Sequence, residues 1–324
     1  MKPCAPIVLF TYNRPKHTQQ TLQALSLNTL AKHSDLVIYQ DAPKPQATQQ
    51  QLDSIKEVRA YLQSFQIQNT HHKYFKSLTL IERPHNFGLA DSITDGVSAL
   101  MEQYGRAIIL EDDIVTSRVF LAYMNESLER YKDTPKVWSI SAWSYPINPQ
   151  GLGDCYFSRI ASCWGWASWA DRWQYFHRDT QWILDNFTQA DINYINLDGT
   201  AGYFQQLLAN HKGKLKTWAI FNYLLAYKHK ALTLHPTISY IQQIGFDGSG
   251  EHCGPGGEIY NAANINTKFP ITYPSQITES ALAFERIKAF ELSLKKPLPT
   301  RALNKILKIS RHLKDKLSNT NRGG

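Results

Sequence analysis

Ala107-Ile108-Ile109-Leu110-Glu111-Asp112-Asp113 is the stretch on which the reading of this chain turns. An apolar run of strand length stops abruptly at three consecutive acids. Adjacent carboxylates repel one another, and a divalent cation relieves that repulsion. The plainer reading is an exposed acidic turn that caps the next helix. Three earlier strand-like runs also end in polar groups, which favours the first reading.

Those runs are Pro6-Ile7-Val8-Leu9-Phe10, Leu36-Val37-Ile38-Tyr39 and Leu78-Thr79-Leu80-Ile81. Helical patterns follow each of them and the fourth, over residues 18–30, 50–65, 90–104 and 119–131, the first preceded by Pro15 as an early helical residue. Continuous apolar strands alternating with helices predict an α/β fold, with a mostly parallel sheet covered on both faces. Ligands of such sheets sit outside the carboxyl ends of the strands. The groups delivered there are Thr11-Tyr12-Asn13-Arg14, Gln40-Asp41, Glu82-Arg83 with Asn86, and Glu111-Asp112-Asp113. No glycine-rich loop follows the first strand, which excludes a Walker NTPase and a GxGxxG dinucleotide domain and argues against a nucleotidyltransferase. A nucleotide diphosphate held through a divalent ion needs no such loop.

The net charge of +8 is not spread along the chain. Residues 295–324 hold nine Lys/Arg and one acid, which leaves 26 basic against 26 acidic residues elsewhere. A neutral body argues against a nucleic-acid groove. Cys4, Cys155, Cys163 and Cys253 form no CxxC pair and are too scattered for a zinc site or a disulfide framework. With no apolar run long enough for a signal peptide or a membrane span, a cytoplasmic protein is expected.

The second half changes character. Residues 137–143 and 156–160 read as further strands, and seven of the eight Trp lie between Trp138 and Trp182. Residues 245–257 are too polar and glycine-rich for core and predict a loop able to close over a ligand. Helical pattern resumes at Glu279 and breaks at Pro297 and Pro299. Aromatic faces pack against sugar rings as well as against one another. Trp164 and Trp166 face opposite ways in an extended segment, so only one of them lines a cleft; we assign Trp166. From Arg301 to Leu317 apolar residues (Leu303, Ile306, Leu307, Ile309, Leu313, Leu317) share one face and basic ones (Arg301, Lys305, Lys308, Arg311, Lys316) fall largely on the other. This 300–317 helix suits an anionic membrane surface, or docks on the protein's own body.

Residues 6–15, Asn86-Phe87-Gly88-Leu89 and Glu111-Asp112-Asp113 resemble nucleotide-sugar glycosyltransferases of the GT-A fold, a Rossmann-like architecture. The Glu-Asp-Asp variant of the Asp-x-Asp motif resembles N-acetylglucosaminyltransferase I. Trp164-Gly165-Trp166-Ala167-Ser168-Trp169, Asp171-Arg172-Trp173 and the segment 244–253 resemble bacterial sugar transferases related to it. The resemblance covers roughly residues 5–255. It implies a GT-A domain over 1–270, with a nucleotide-binding half to residue 130 and an acceptor half beyond, followed by a helical basic tail over 271–324. The implied activity is metal-dependent transfer of a hexosyl or N-acetylhexosaminyl group from a UDP-sugar, with inversion, to a saccharide or lipid-linked acceptor. Thr11, Arg14, Asp41, Arg83 and Asn86 would line the nucleotide site. Asp113 would ligate Mn2+ or Mg2+, with His252 as a second ligand, and Glu111 and Asp112 would orient the ribose, the sugar or the ligand shell.

One departure matters. Relatives of this type carry an acid just before a Trp-Ala-Ile segment, where an inverting enzyme keeps its general base. Here Lys216-Thr217 precede Trp218-Ala219-Ile220. The base is then Asp247, Glu251 or Asp171, or the chain is a non-catalytic nucleotide- or sugar-binding relative.

Overall fold

The computed structural model describes residues 3–250 and 256–295. The strands in chain order are β1 (Ile7–Thr11), β2 (Asp35–Gln40), β3 (Ser77–Glu82), β4 (Arg106–Glu111), β5 (Ile114–Thr116), β6 (Val137–Ser141), β7 (Cys155–Ser158), β8 (Trp166–Trp169), β9 (Leu232–Pro236) and β10 (Ile241–Gln243). The helices are α1 (Pro15–Ser26), α2 (Gln49–His72), α3 (Leu89–Tyr104), α4 (Phe120–Tyr131), α5 (Ala170–Trp173), α6 (Thr180–Asn186), α7 (Gln189–Ile195), α8 (Phe204–His211), α9 (Ala219–Lys228) and α10 (Ala281–Ser293).

Eight strands form one sheet in the order β3-β2-β1-β4-β8-β6-β9-β7. β1 to β4, β6 and β9 run parallel; β7 and β8 run against them. Every residue of β1 is buried, so the strand serves two cores at once. Ile7 and Leu9 point with Leu36, Ile38, Ile108 and Leu110 into the larger one, beside Leu22 and Leu25 of α1. Val8 and Phe10 point with Val37, Tyr39 and Ile109 toward Ile93, Val97 and Met101 of α3. Strands buried on both faces read as unbroken apolar runs, which is why β1, β2 and β4 are legible in sequence.

Helix ends follow local chemistry. Pro15 supplies the fixed φ of a first helical residue in α1. Thr48 and Gln51 form a capping box at the start of α2. Gly105, at φ +74°, ends α3 and donates its N–H to the Met101 carbonyl.

The sheet differs from the sequence expectation in its middle. β8 inserts antiparallel between β4 and β6, with Ile109 paired to Trp166 and Arg106 to Trp169. Trp166, expected in a cleft, is therefore wholly buried: it stacks on Trp218 at 5.2 Å and lies 5.7 Å from Trp173. Residues 279–293 dock on the β7 edge, where Glu279 accepts a two-pronged hydrogen bond from Arg159 and the Arg159 guanidinium lies 3.9 Å from the Phe284 ring centre. Among the described residues no helix is long and apolar enough to cross a membrane. The amphipathic segment 300–317 lies outside the described residues.

Candidate functional site

The carboxyl ends of β1, β2 and β4 open into a cleft of ≈ 230 Å³. Thr11, Arg14, Asp41, Asn86, Glu111, Asp112 and Asp113 line it, as the strand-end reading predicts. Tyr12, Asn13, Lys44, Gln51, Ser92, Ser249 and Gly250 complete its polar wall.

On the β2 side, Asp41 organises the rim. Its Oδ1 accepts the backbone N–H groups of Ala42 and Phe87, both at 2.9 Å, and its Oδ2 accepts that of Gly88 at 2.8 Å. The Asn86 side-chain amide donates to Oδ2 at 3.1 Å and to the Ala42 carbonyl at 2.7 Å. One carboxylate thus ties the end of β2 to the Asn86-Phe87-Gly88 turn that opens α3. Gly88 sits at φ +72°, a conformation that favours glycine. Arg83 stands behind this wall rather than in it. Its guanidinium lies between the Tyr39 and Phe87 rings, 4.3 and 4.2 Å from their centres, and pairs with Asp95 at 2.6 Å.

On the β4 side, the acids meet α1. Arg14 reaches both Asp112 and Asp113; its Nη1 lies 2.8 Å from Asp113 Oδ2. Thr21, two turns along α1, donates its hydroxyl to the Asp112 carbonyl at 2.9 Å. His17, on the same helix face, has Nε2 3.2 Å from the Ile244 carbonyl and 3.2 Å from Asp247 Oδ2. His17 and Thr21 were not among the sequence candidates. The available signal is their spacing, since Arg14, His17 and Thr21 recur at three and four residues on a helix.

The electrostatics follow from this crowding. Burial works against the Arg14 charge, but Asp112 and Asp113 hold its guanidinium well above the ordinary range. Burial, then repulsion from Asp113, push Glu111 up to about 8, with Arg14 pulling the other way. Asp112 is also raised, by burial first, with Arg14 opposing.

The segment after β10 closes on the same acids. The Ile244 N–H donates to the Asp113 carbonyl at 2.9 Å, and the Gly245 N–H to Gln243 Oε1 at 2.6 Å. A Cβ on Gly245 would collide with Asp113 Oδ2 and crowd Arg14 Nη1, so a side chain there would displace one of these charged groups. Asp113 Oδ1 is buried and has no hydrogen-bond partner. An unpartnered carboxylate oxygen beside further acids, under a backbone that excludes side chains, suits a hard oxygen-seeking cation. Among the described residues no group of three or more His, Cys, Asp or Glu is placed to hold a metal ion.

The three acids proposed as bases fare differently. Asp171 follows β8, so it emerges at the opposite edge of the sheet. The neighbouring Ala170 N–H binds the Gly105 carbonyl at the far end of α3, a 16-residue helix whose first residue, Leu89, lines the cleft. At 1.5 Å per residue that separates Asp171 from the cleft by roughly 24 Å, and its carboxylate pairs with Arg172. Asp171 is therefore not an acid of this cleft. Asp247 does not line the cleft; it accepts from the N–H and hydroxyl of Ser249, which does, and the Ser249 hydroxyl holds its carboxyl below the usual range. Glu251 and His252 lie outside the described residues.

Lys216 and Trp164 also have definite places. Lys216 Nζ lies 2.5 Å from Asp91, which Arg178 also engages, in the first turn of α3. Trp164 rather than Trp166 faces the closing segment, edge-on to Phe246 at 5.6 Å.

No protein-family model matches the chain, and no curated protein is similar to it. Among solved structures it is similar to the mannosyltransferase PcManGT from Pyrobaculum calidifontis in complex with GDP-Man and Mn2+. Identity there is 14%, over 71% of this chain and 70% of that one, with a TM-score of 0.38. It is similar to S. aureus TarS at 13% identity, over 43% of this chain and 21% of that one, with a TM-score of 0.28. For residues 1–349 of TarS the values are 11%, 54%, 51% and 0.34. The chain thus spans about a fifth of full TarS and half of its 1–349 portion. None of these likenesses bears on the chemistry of the cleft.

Proposed function

We propose that this chain is a metal-dependent glycosyltransferase that uses a nucleotide-diphosphate sugar, with a UDP-sugar as donor. The observation that carries the reading is Asp113 Oδ1. It is buried and unpartnered beside Glu111 and Asp112, at the strand ends where a parallel sheet binds its ligand. Asp113 would hold Mn2+ or Mg2+, with Glu111 and Asp112 shaping the surrounding shell. When bound, the ion would supply positive charge that offsets the charge developing on the leaving group.

The chain's own groups would do the rest. The first turn of α1 carries no acid and its N-cap has no side-chain partner, so its N–H groups favour a diphosphate nearby. Thr11 and Arg14 stand at that end. The rim built by Asp41 and Asn86 would receive the base and ribose. Ser249 and Gly250 would close over the donor. The acceptor, a saccharide or lipid-linked glycan, would attack the anomeric carbon through a hydroxyl, with inversion.

A second reading keeps the binding site without the catalysis. It is favoured by Lys216-Thr217 standing where an acid is expected and, among the described candidate bases, by the pairing of Asp171 with Arg172 away from the cleft and the hold of Ser249 on Asp247. Donor hydrolysis separates the two, because only a catalyst releases free sugar from a UDP-sugar in the presence of Mn2+.

The core claim is tested by thermal shift with UDP and GDP, with and without Mn2+, on wild type and Asp113→Ala. A metal-dependent rise with UDP that disappears in the variant is expected. A well-folded wild type that shifts with no nucleotide would sink the proposal.

A further inference from the structure

Arg14 occupies an unusual position. Its guanidinium spans Asp112 and Asp113, with a side chain only 14% exposed, and the Gly245 backbone closes against it. Yet the fit is incomplete. Nη1 lies 2.8 Å from Asp113 Oδ2 but makes no hydrogen bond, and Asp113 Oδ1 has no partner at all. A guanidinium is planar and its donors point in a fixed fork. Its single positive charge offsets only one of the two carboxylates and leaves their oxygens unsaturated. Unpartnered, a pair of buried carboxylates costs several kcal/mol per ion, which favours a cation beside them.

We propose that Arg14 is a built-in substitute for the divalent ion, holding the Asp112–Asp113 pair and competing with the ion until a nucleotide diphosphate draws the guanidinium away. This rests on the nucleotide-sugar reading above. Arg14 lines the same cleft and is the residue just before the same helix, so a diphosphate bound at that helix end would lie within reach of its side chain. Ion and nucleotide then help each other. The diphosphate removes the competitor from the ion's place, and the ion releases Arg14 for the diphosphate. By linkage the two effects are equal in size.

The competition predicts changes of opposite sign in one variant. Arg14→Gln removes the charge while keeping a polar side chain of similar reach. Mn2+ binding without nucleotide, read by electron paramagnetic resonance, is expected to tighten about tenfold or more, and UDP binding at saturating Mn2+ to weaken by a similar factor. Arg14→Lys keeps the charge without the fork and falls between the two. Unchanged or weaker Mn2+ binding by Arg14→Gln overturns the proposal. A wild type that binds neither Mn2+ nor UDP overturns the nucleotide-sugar reading itself, which is a separate result. If Arg14→Gln does not fold, the Mn2+-induced rise in melting temperature of Arg14→Lys is compared with that of wild type. A larger rise supports the competition, and an equal or smaller one overturns it.

Discussion

The Glu111 carboxyl shows how one residue can oppose the fold that holds it. Its position at the end of β4 is fixed by pairing with Phe10, and the same pairing sets it beside Asp112 and Asp113. Burial and the Asp113 charge push it up to about 8, against 4.5 for a free glutamate. Between those two values the folded chain holds a proton that the unfolded chain has lost. Stability therefore falls as pH rises through this window, by up to about 1.4 kcal/mol per pH unit from this group. Glu111→Gln removes the titration. In EDTA its melting temperature is expected to gain on that of wild type steadily from pH 5 to pH 8. A gap that stays constant, or narrows with rising pH, would show that the carboxyl is already ionised. The same scale marks the reach of sequence reading. Glu111, Asp112 and Asp113 declare themselves by adjacency, whereas the pairing of Arg14 with acids about a hundred positions away does not.

Among the elements, the junction of β2 with α3 shows how a loop becomes part of a site. The Asn86-Phe87-Gly88 turn has no strand or helix to hold it, and Asp41 supplies the missing acceptor for three backbone N–H groups and one amide. Asp41→Ala is expected to cost roughly 2–4 kcal/mol in denaturant unfolding, because buried donors lose a charged acceptor. It should also weaken UDP binding in the folded variant. Near-wild-type stability would mean that water replaces the carboxylate at little cost. β1 to β4 and the four helices that follow them were legible because apolar runs and turn residues are local signals. β8, β9 and the helices between Thr180 and Lys228 were not. Trp166–Trp169 is too short to show a period, and its identity as a strand comes from partners in β4 and β6. Lys216, read as a departure from an expected acid, sits against Asp91 of α3, a contact that no local pattern announces.

Across the whole molecule, the sheet sorts its aromatic residues between core and cleft. Trp166, Trp173 and Trp218 fill the α3 face, and each is nearly or wholly buried. Trp166→Ala should lose about 3–5 kcal/mol of stability through the cavity it leaves. Below its melting temperature it should bind UDP as wild type does. Loss of UDP binding in a folded sample would return Trp166 to the cleft.

The parallel half of the sheet and the polar strand ends at the cleft, Asp41, Asn86 and Asp113 among them, can be read along the chain alone. Those features rest on periodicity and adjacency, which act over a few residues. The burial of Trp166, the distance of Asp171 from the cleft by a helix length, and the gathering of Arg14, His17 and Gly245 around the acids emerge with the three-dimensional packing. Each of these depends on strand order and helix packing, which bring together residues distant in the chain and carry no local signature.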